Sequence, residues 1–181
     1  MIIDCSSTIE GNWKWNTTTF VSQSYSNDDQ FQEFGLKWQG HGFTYITTPK
    51  WIDKNNNNLD DFDIKYFCGS AIIVDIPENK KINAEFIDEK LKNLKDKNIN
   101  ICIFATGHSI KFSNNNPEYW IKSPIIEDEV IEVLLKYSIK HLVLDFSCEN
   151  ILTKRDVEKK DFINPNEKIK IKLLEKNILL T

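Results

Sequence analysis

Short apolar runs alternate with segments of helical period along most of this chain, and that alternation narrows the fold more than any other feature. Runs at about 1–5, 18–25, 35–47, 69–76, 100–106 and 141–147 are rich in β-branched or aromatic residues and bounded by Gly, Pro or Asn, so they read as strands. Between them, 84–96 carries Phe86, Ile87, Leu91 and Leu94 at helical spacing, and 125–138 carries Ile126, Val130, Ile131, Leu134 and Leu135. Ser123-Pro124 with Glu127 predicts the start of the second helix, with Pro in the first turn and Glu favouring the N-terminal dipole. Helices flanking strands imply α/β layering. With 181 residues, 40% hydrophobic and 12% aromatic, the chain has enough apolar material for one core, and a single domain over 1–181 is expected. The Asn-rich stretches 55–58 and 114–116 are read as polar loops.

Charge excludes some classes of partner. A net charge of −4, with acidic and basic residues interspersed, offers no footprint for nucleic acid or an anionic membrane. No apolar run approaches the roughly 18 residues of a membrane span, and no basic segment precedes a hydrophobic one at the N-terminus, so a cytoplasmic protein is expected. Cys5, Cys68, Cys102 and Cys148 are scattered without a Cys-x-x-Cys spacing, which predicts free, buried thiols. A Cys/His nucleophile would need a His in reach of Cys148 or Cys68.

The stretch that carries chemistry is His41-Gly42-Phe43-Thr44-Tyr45-Ile46-Thr47-Thr48-Pro49-Lys50-Trp51. It resembles the His-x-Gly-Thr-His-x-Asp-x-Pro-x-His signature of the kynurenine formamidase and putative cyclase family of metal-dependent hydrolases, with His41, Thr44 and Pro49 matching. Further segments follow that family's order: Ile2-Ile3-Asp4-Cys5-Ser6, Gly69 with the apolar run to Ile76, Ile101 to His108 through Thr106-Gly107, Pro117-Glu118-Tyr119-Trp120, and Leu142-Val143-Leu144-Asp145. The resemblance covers most of residues 1–152. It implies a cyclase-like fold of the swivelling β/β/α type, a layered α/β domain with a mixed sheet flanked by helices.

In that family the first His, the second His and the Asp of the signature bind the metal, and the last His serves acid/base catalysis. Here those positions hold His41, Tyr45, Thr47 and Trp51, so His41 alone remains as a metal ligand. A catalytic zinc takes three protein ligands and keeps one position for water. A phenol titrating near pH ~10 and an aliphatic hydroxyl are poor replacements. All four positions are an even number apart and would share one face of a strand. At roughly 3.3 Å per residue they would nonetheless spread too far to share an ion, so the backbone must bend. The family bends at a Gly, where this chain has Phe43 between Gly40, Gly42 and Thr44.

The resemblance implies one more loss. The family's second metal uses a C-terminal His and Glu; Lys170, before Leu173-Leu174, stands at the His position, and the chain is expected to be short at its C-terminus relative to the family. The preferred expectation is a catalytically impaired relative that binds a small molecule or a protein, with no cofactor and with assembly as a homodimer possible. The competing expectation is an active amide, ester or lactone hydrolase with a rebuilt centre around His41 and His108, Asp145 supplying a carboxylate and zinc or manganese as cofactor. His108 is then the catalytic candidate, as a group titrating near neutral pH at a strand end. Tyr45, Thr47, Trp51 and Asp145 are the pocket candidates, Trp51 and Trp38 filling the former metal pocket. His141 is read as structural.

Overall fold

The computed structural model describes residues 2–15, 17–94, 98–149 and 164–181. The chain packs as two compact units, Met1–Tyr45 and Ile46–Thr181.

In the first unit β1 (Thr18–Gln23) pairs antiparallel with β2 (Glu33–Lys37). Phe20 lies opposite Gly35 and its exposed ring folds over that glycine, where an added Cβ would fall 2.1 Å from the ring and require it to move. Ser24 caps the turn Tyr25–Asn27 by accepting from the Ser26 amide. Two expected strands differ from what forms. Residues 2–5 build no strand, because the Asp4 carboxylate accepts from both the amide and the hydroxyl of Ser6, a local turn that competes with pairing. The expected strand over 35–47 ends at Lys37, the chain bending through Gly40–Gly42 to Phe43.

The second unit is the α/β layer. Its elements run β3 (Ser70–Asp75), α1 (Ala84–Leu91), β4 (Ile99–Ala105), α2 (His108–Lys111), α3 (Pro117–Ile121), α4 (Val130–Lys136), β5 (His141–Leu144), α5 (Asn166–Glu175) and β6 (Leu179–Leu180). The four strands lie side by side in the order β3-β4-β5-β6, every neighbouring pair parallel. Thr47 adds an antiparallel bridge to Leu180 at the β6 edge, its amide donating to the Leu180 carbonyl at 2.8 Å. The α/β class and the helix-flanked sheet are thus as the sequence predicts.

Val74, Cys102, Phe104 and Leu142 from the strands form one buried cluster with Ile87 and Leu91 of α1, Val130, Ile131 and Leu134 of α4, and Ile169 and Leu173 of α5. Each such side chain removed from water contributes about 1.5–3 kcal/mol before the entropy of ordering is subtracted. α1 starts where Asn83 accepts from the Phe86 amide.

The second predicted helix begins later than its sequence signal. Residues 124–126 are extended: Ile126 forms a parallel bridge with Ile82, its amide donates to Asn166 Oδ1 at 2.9 Å, and the helix starts at Val130. Tertiary partners for the backbone override Ser123-Pro124 as a start. α4 and α5 end alike. Ser138 and Asn177 take left-handed φ values of 57° and 56°. The next residues, Ile139 and Ile178, donate back to Leu134 and Leu173 and are buried. These stops aim the chain straight into β5 and β6.

Candidate functional site

The bend that the motif requires is present, and Phe43 makes it. Its φ is 65°, a left-handed value that costs an ordinary residue about 1–2 kcal/mol. The Phe43 ring lies 5.4 Å from that of buried Trp15, whose indole also covers Gly42, so aromatic packing offsets the strain. Beyond the bend, His41 and Tyr45 meet edge to face at 5.0 Å in the first unit. Thr47, 3% exposed, spends its backbone on the β6 bridge, and Trp51 closes the turn Pro49–Trp51 in the second unit.

In the second unit the C-terminal ends of β4 and β5 are tied by Asp145. Its carboxylate accepts from the Thr106 amide at 3.0 Å, the Thr106 hydroxyl at 2.6 Å and the Gly107 amide at 2.7 Å. Both oxygens are therefore engaged, and the left-handed turn at Gly107, φ 72°, is pinned where α2 begins. Next to this knot, His108 is 6% exposed and its Nε2 lies 2.7 Å from the Tyr119 carbonyl, which makes Nε2 the donor. The ring packs between Phe112 and Tyr119. His108 thus follows directly on Gly107, a donor to Asp145, but the His108 and Asp145 side chains bond to other groups and form no acid–base dyad.

Tyr119 lies within electrostatic reach of Asp145 and Cys148. Burial pushes its phenol up, and the negative charge at Asp145 and then at Cys148 adds to that. Cys148, 5% exposed, has its thiol pushed up to about 12 by burial; Lys170 opposes the shift and Glu149 reinforces it. A thiol held so far above neutral pH is inert as a nucleophile. Cys102 is likewise buried and raised to about 12, whereas Cys5 and Cys68 are exposed; the expectation of buried thiols holds for two of the four, and all four are free.

Lys170 is the most informative residue of this end. Its side chain is 1% exposed, and its ammonium lies 2.9 Å from Glu149 Oε1 and 4.1 Å from the centroid of the Trp51 indole. Trp51 is 42% exposed, so the indole forms a lid with one face over the cation. Glu149 is held in turn by Asn164, whose side-chain amide donates to the Ser147 and Glu149 carbonyls at 3.1 Å. Asn164 Oδ1 accepts from the Asn166 amide at 3.0 Å, and Asn166 Nδ2 donates to the Pro124 carbonyl at 2.6 Å, which fixes the start of α5 and so the reach of Lys170. Sequence reasoning missed Glu149 as a partner of Lys170 and missed Asn164 and Asn166. The available signal was Asn164-Pro165-Asn166, a turn-forming helix start.

These residues do not fit the family's metal. Among the described residues no group of three or more His, Cys, Asp or Glu side chains stands close enough to hold an ion. Glu149 is already committed to an ammonium, and a buried positive charge repels a divalent cation. His141, read as structural, is 5% exposed with Nε2 2.8 Å from the Thr181 hydroxyl; burial holds its imidazole below the usual range, against a smaller opposing pull from the Tyr66 backbone. Of the five tryptophans, Trp15 and Trp120 are buried, while Trp13, Trp38 and Trp51 are exposed. No helix among the described residues is long and apolar enough to cross a membrane.

Comparison with known proteins agrees with this geometry. No curated protein matches the sequence. Among solved structures, the crystal structure of an isatin hydrolase bound to the product analogue thioisatinate is similar, with a TM-score of 0.64 over 91% of this chain and 67% of that one, at 13% identity. That identity speaks for the fold alone. The family model described as "Putative cyclase" matches residues 3–148, a span holding the His41 frame, the Thr106-Gly107 turn and Asp145. With most of its length matched by the family model and its fold shared, the chain belongs to the cyclase family.

Proposed function

We propose that this protein is a cyclase-family scaffold without the family's metal-dependent hydrolase chemistry, acting by binding a small molecule or a protein. The observation that carries the reading is the buried Lys170 ammonium, paired with Glu149 and lidded by Trp51. A positive charge that the chain itself supplies needs no ion to satisfy Glu149, and it leaves no open coordination position to activate water. Tyr45 and Thr47 support the same reading, one in a ring contact with His41 and the other buried in a backbone bridge. The reading includes a cytoplasmic setting and assembly as a homodimer, with neither nucleic acid nor membrane as partner of a mixed, net −4 chain.

The test is metal content by elemental analysis, after expression with zinc and manganese supplied and without a metal-chelating tag, together with hydrolysis of N-formylkynurenine. Negligible metal and no turnover are expected. About one equivalent of metal retained through dialysis would overturn the reading. The competing amide, ester or lactone hydrolase requires turnover that disappears in both His41→Ala and His108→Ala. Restoring Tyr45→His, Thr47→Asp and Trp51→His is expected to recover no metal while Lys170 remains, and to destabilise the fold, because a carboxylate at position 47 would be buried without a partner.

A further inference from the structure

At the end of the sheet opposite Thr106 and Gly107, a hollow of about 660 Å3 opens where β3, β4 and β5 begin. Its volume lies within the range of small-molecule sites. Lys65 lines it from one segment and Lys136 and Lys140 from another, and no carboxylate among the described residues does. Two of these charges are answered from outside the lining. Asp63 stands 3.2 Å from Lys65, and Asp88 stands 2.6 Å from Lys136. Lys140 makes no ion pair among the described residues, so the hollow keeps one unanswered positive charge.

The wall behind these lysines is built rather than loose. Asn100 Nδ2 donates to the Lys65 carbonyl at 2.7 Å, and its backbone carbonyl accepts from the Lys140 amide at 2.7 Å. A Cβ on Gly69 would come 2.4 Å from Asn100 Oδ1, so glycine there lets the Asn100 amide seat against the chain entering β3. One residue, through its side chain at Lys65 and its backbone at Lys140, thus holds the backbone of two of the three lysines. Ser70 and Ser138 add hydroxyl donors to the lining. Ser138 does so from a left-handed conformation, φ 57°, in which glycine is the default residue.

We propose that this hollow binds a small organic anion through a phosphate or carboxylate group. Lysine ammonium groups and hydroxyls are the donors that such oxygens take, and a concave wall with no carboxylate among its described residues concentrates the field of the lysines. The site lies away from the Asp145 knot and does not depend on whether the family chemistry survives.

The experiment titrates the full chain at low ionic strength with inorganic phosphate and, separately, with citrate, following backbone amide chemical shifts. Saturable shifts centred on Gly69, Asn100 and Lys140 are expected, with Kd below about 1 mM for one of the two ions; the tighter ion identifies the group recognised. Lys140→Ala should weaken binding about 10-fold or more with an unchanged melting temperature, and Lys140→Arg should retain it. Lys172→Ala, which alters an exposed lysine on α5, should have no effect. The proposal is overturned if neither ion saturates below about 10 mM, if the shifts centre elsewhere, or if Lys140→Ala binds like the parent.

Discussion

Asp145 and Lys170 are charged side chains drawn into the same unit and neutralised by opposite means. Asp145 takes donors from the amides and hydroxyl of one short turn, Thr106-Gly107, so its charge is dispersed over neutral groups that sit at a strand end whatever happens elsewhere. Among the described residues Lys170 meets the Glu149 carboxylate and the Trp51 indole face, each brought from another part of the chain. The first arrangement lies within the span 3–148 that matches the family model, and the second draws Glu149 and Lys170 from beyond it. The two arrangements share no residue.

That contrast can be broken at either member. Lys170→Met leaves Glu149 without its counter-charge in a half-buried setting and should cost about 3–5 kcal/mol in urea unfolding. The double variant Lys170→Met, Glu149→Gln should recover most of that loss, since replacing both members of a buried pair is often close to neutral. A double variant as unstable as the single one would mean that the packing of the Lys170 stem, not the pair, holds α5 in place. Asp145→Ala should cost less, about 2–3 kcal/mol, by leaving the Thr106 and Gly107 amides unmet, and hydrogen exchange at those two amides should rise with it.

Titration sharpens the comparison at the other end of β5. Burial lowers the His141 pKa below 6.5, so the folded protein holds a neutral ring where the unfolded chain would bind a proton. Stability from this residue is complete above about pH 6.5 and declines as the pH falls below it, the unfolded state taking up the proton first. Unfolding midpoints measured between about pH 7.5 and 5.5 should fall, and His141→Gln should flatten that slope. The smallest effect is expected at Ser138, where Ser138→Gly removes left-handed strain and should raise stability by about 0.5–1 kcal/mol in thermal unfolding, with α4 still ending at the same residue.

Much of the fold was legible because its signals are local. The apolar runs at 69–76, 100–106 and 141–147 became β3, β4 and β5 within a residue or a few at each end, and Phe86, Ile87 and Leu91 marked α1. Where the sequence misled, a competing interaction explains it. Asp4 and Ser6 close a turn on one another, Ile126 pairs with Ile82 before α4 can begin, and Phe43 supplies a bend that the residue type argues against. α5 and β6 went unread, β6 having only two residues and gaining its identity from pairing with β5.

By itself the sequence determined the alternation that makes an α/β layer and the family frame from His41 to Pro49, with Tyr45, Thr47 and Trp51 at its other motif positions. Those are properties of residue type and spacing, which the chain carries before it folds. Only the tertiary structure decided that the Asp145 oxygens are filled by Thr106 and Gly107, that Lys170 finds Glu149 beneath Trp51, and that Lys65, Lys136 and Lys140 face one hollow. Each of these joins groups far apart in sequence, and their meeting is set by strand order and helix packing, which no local pattern encodes.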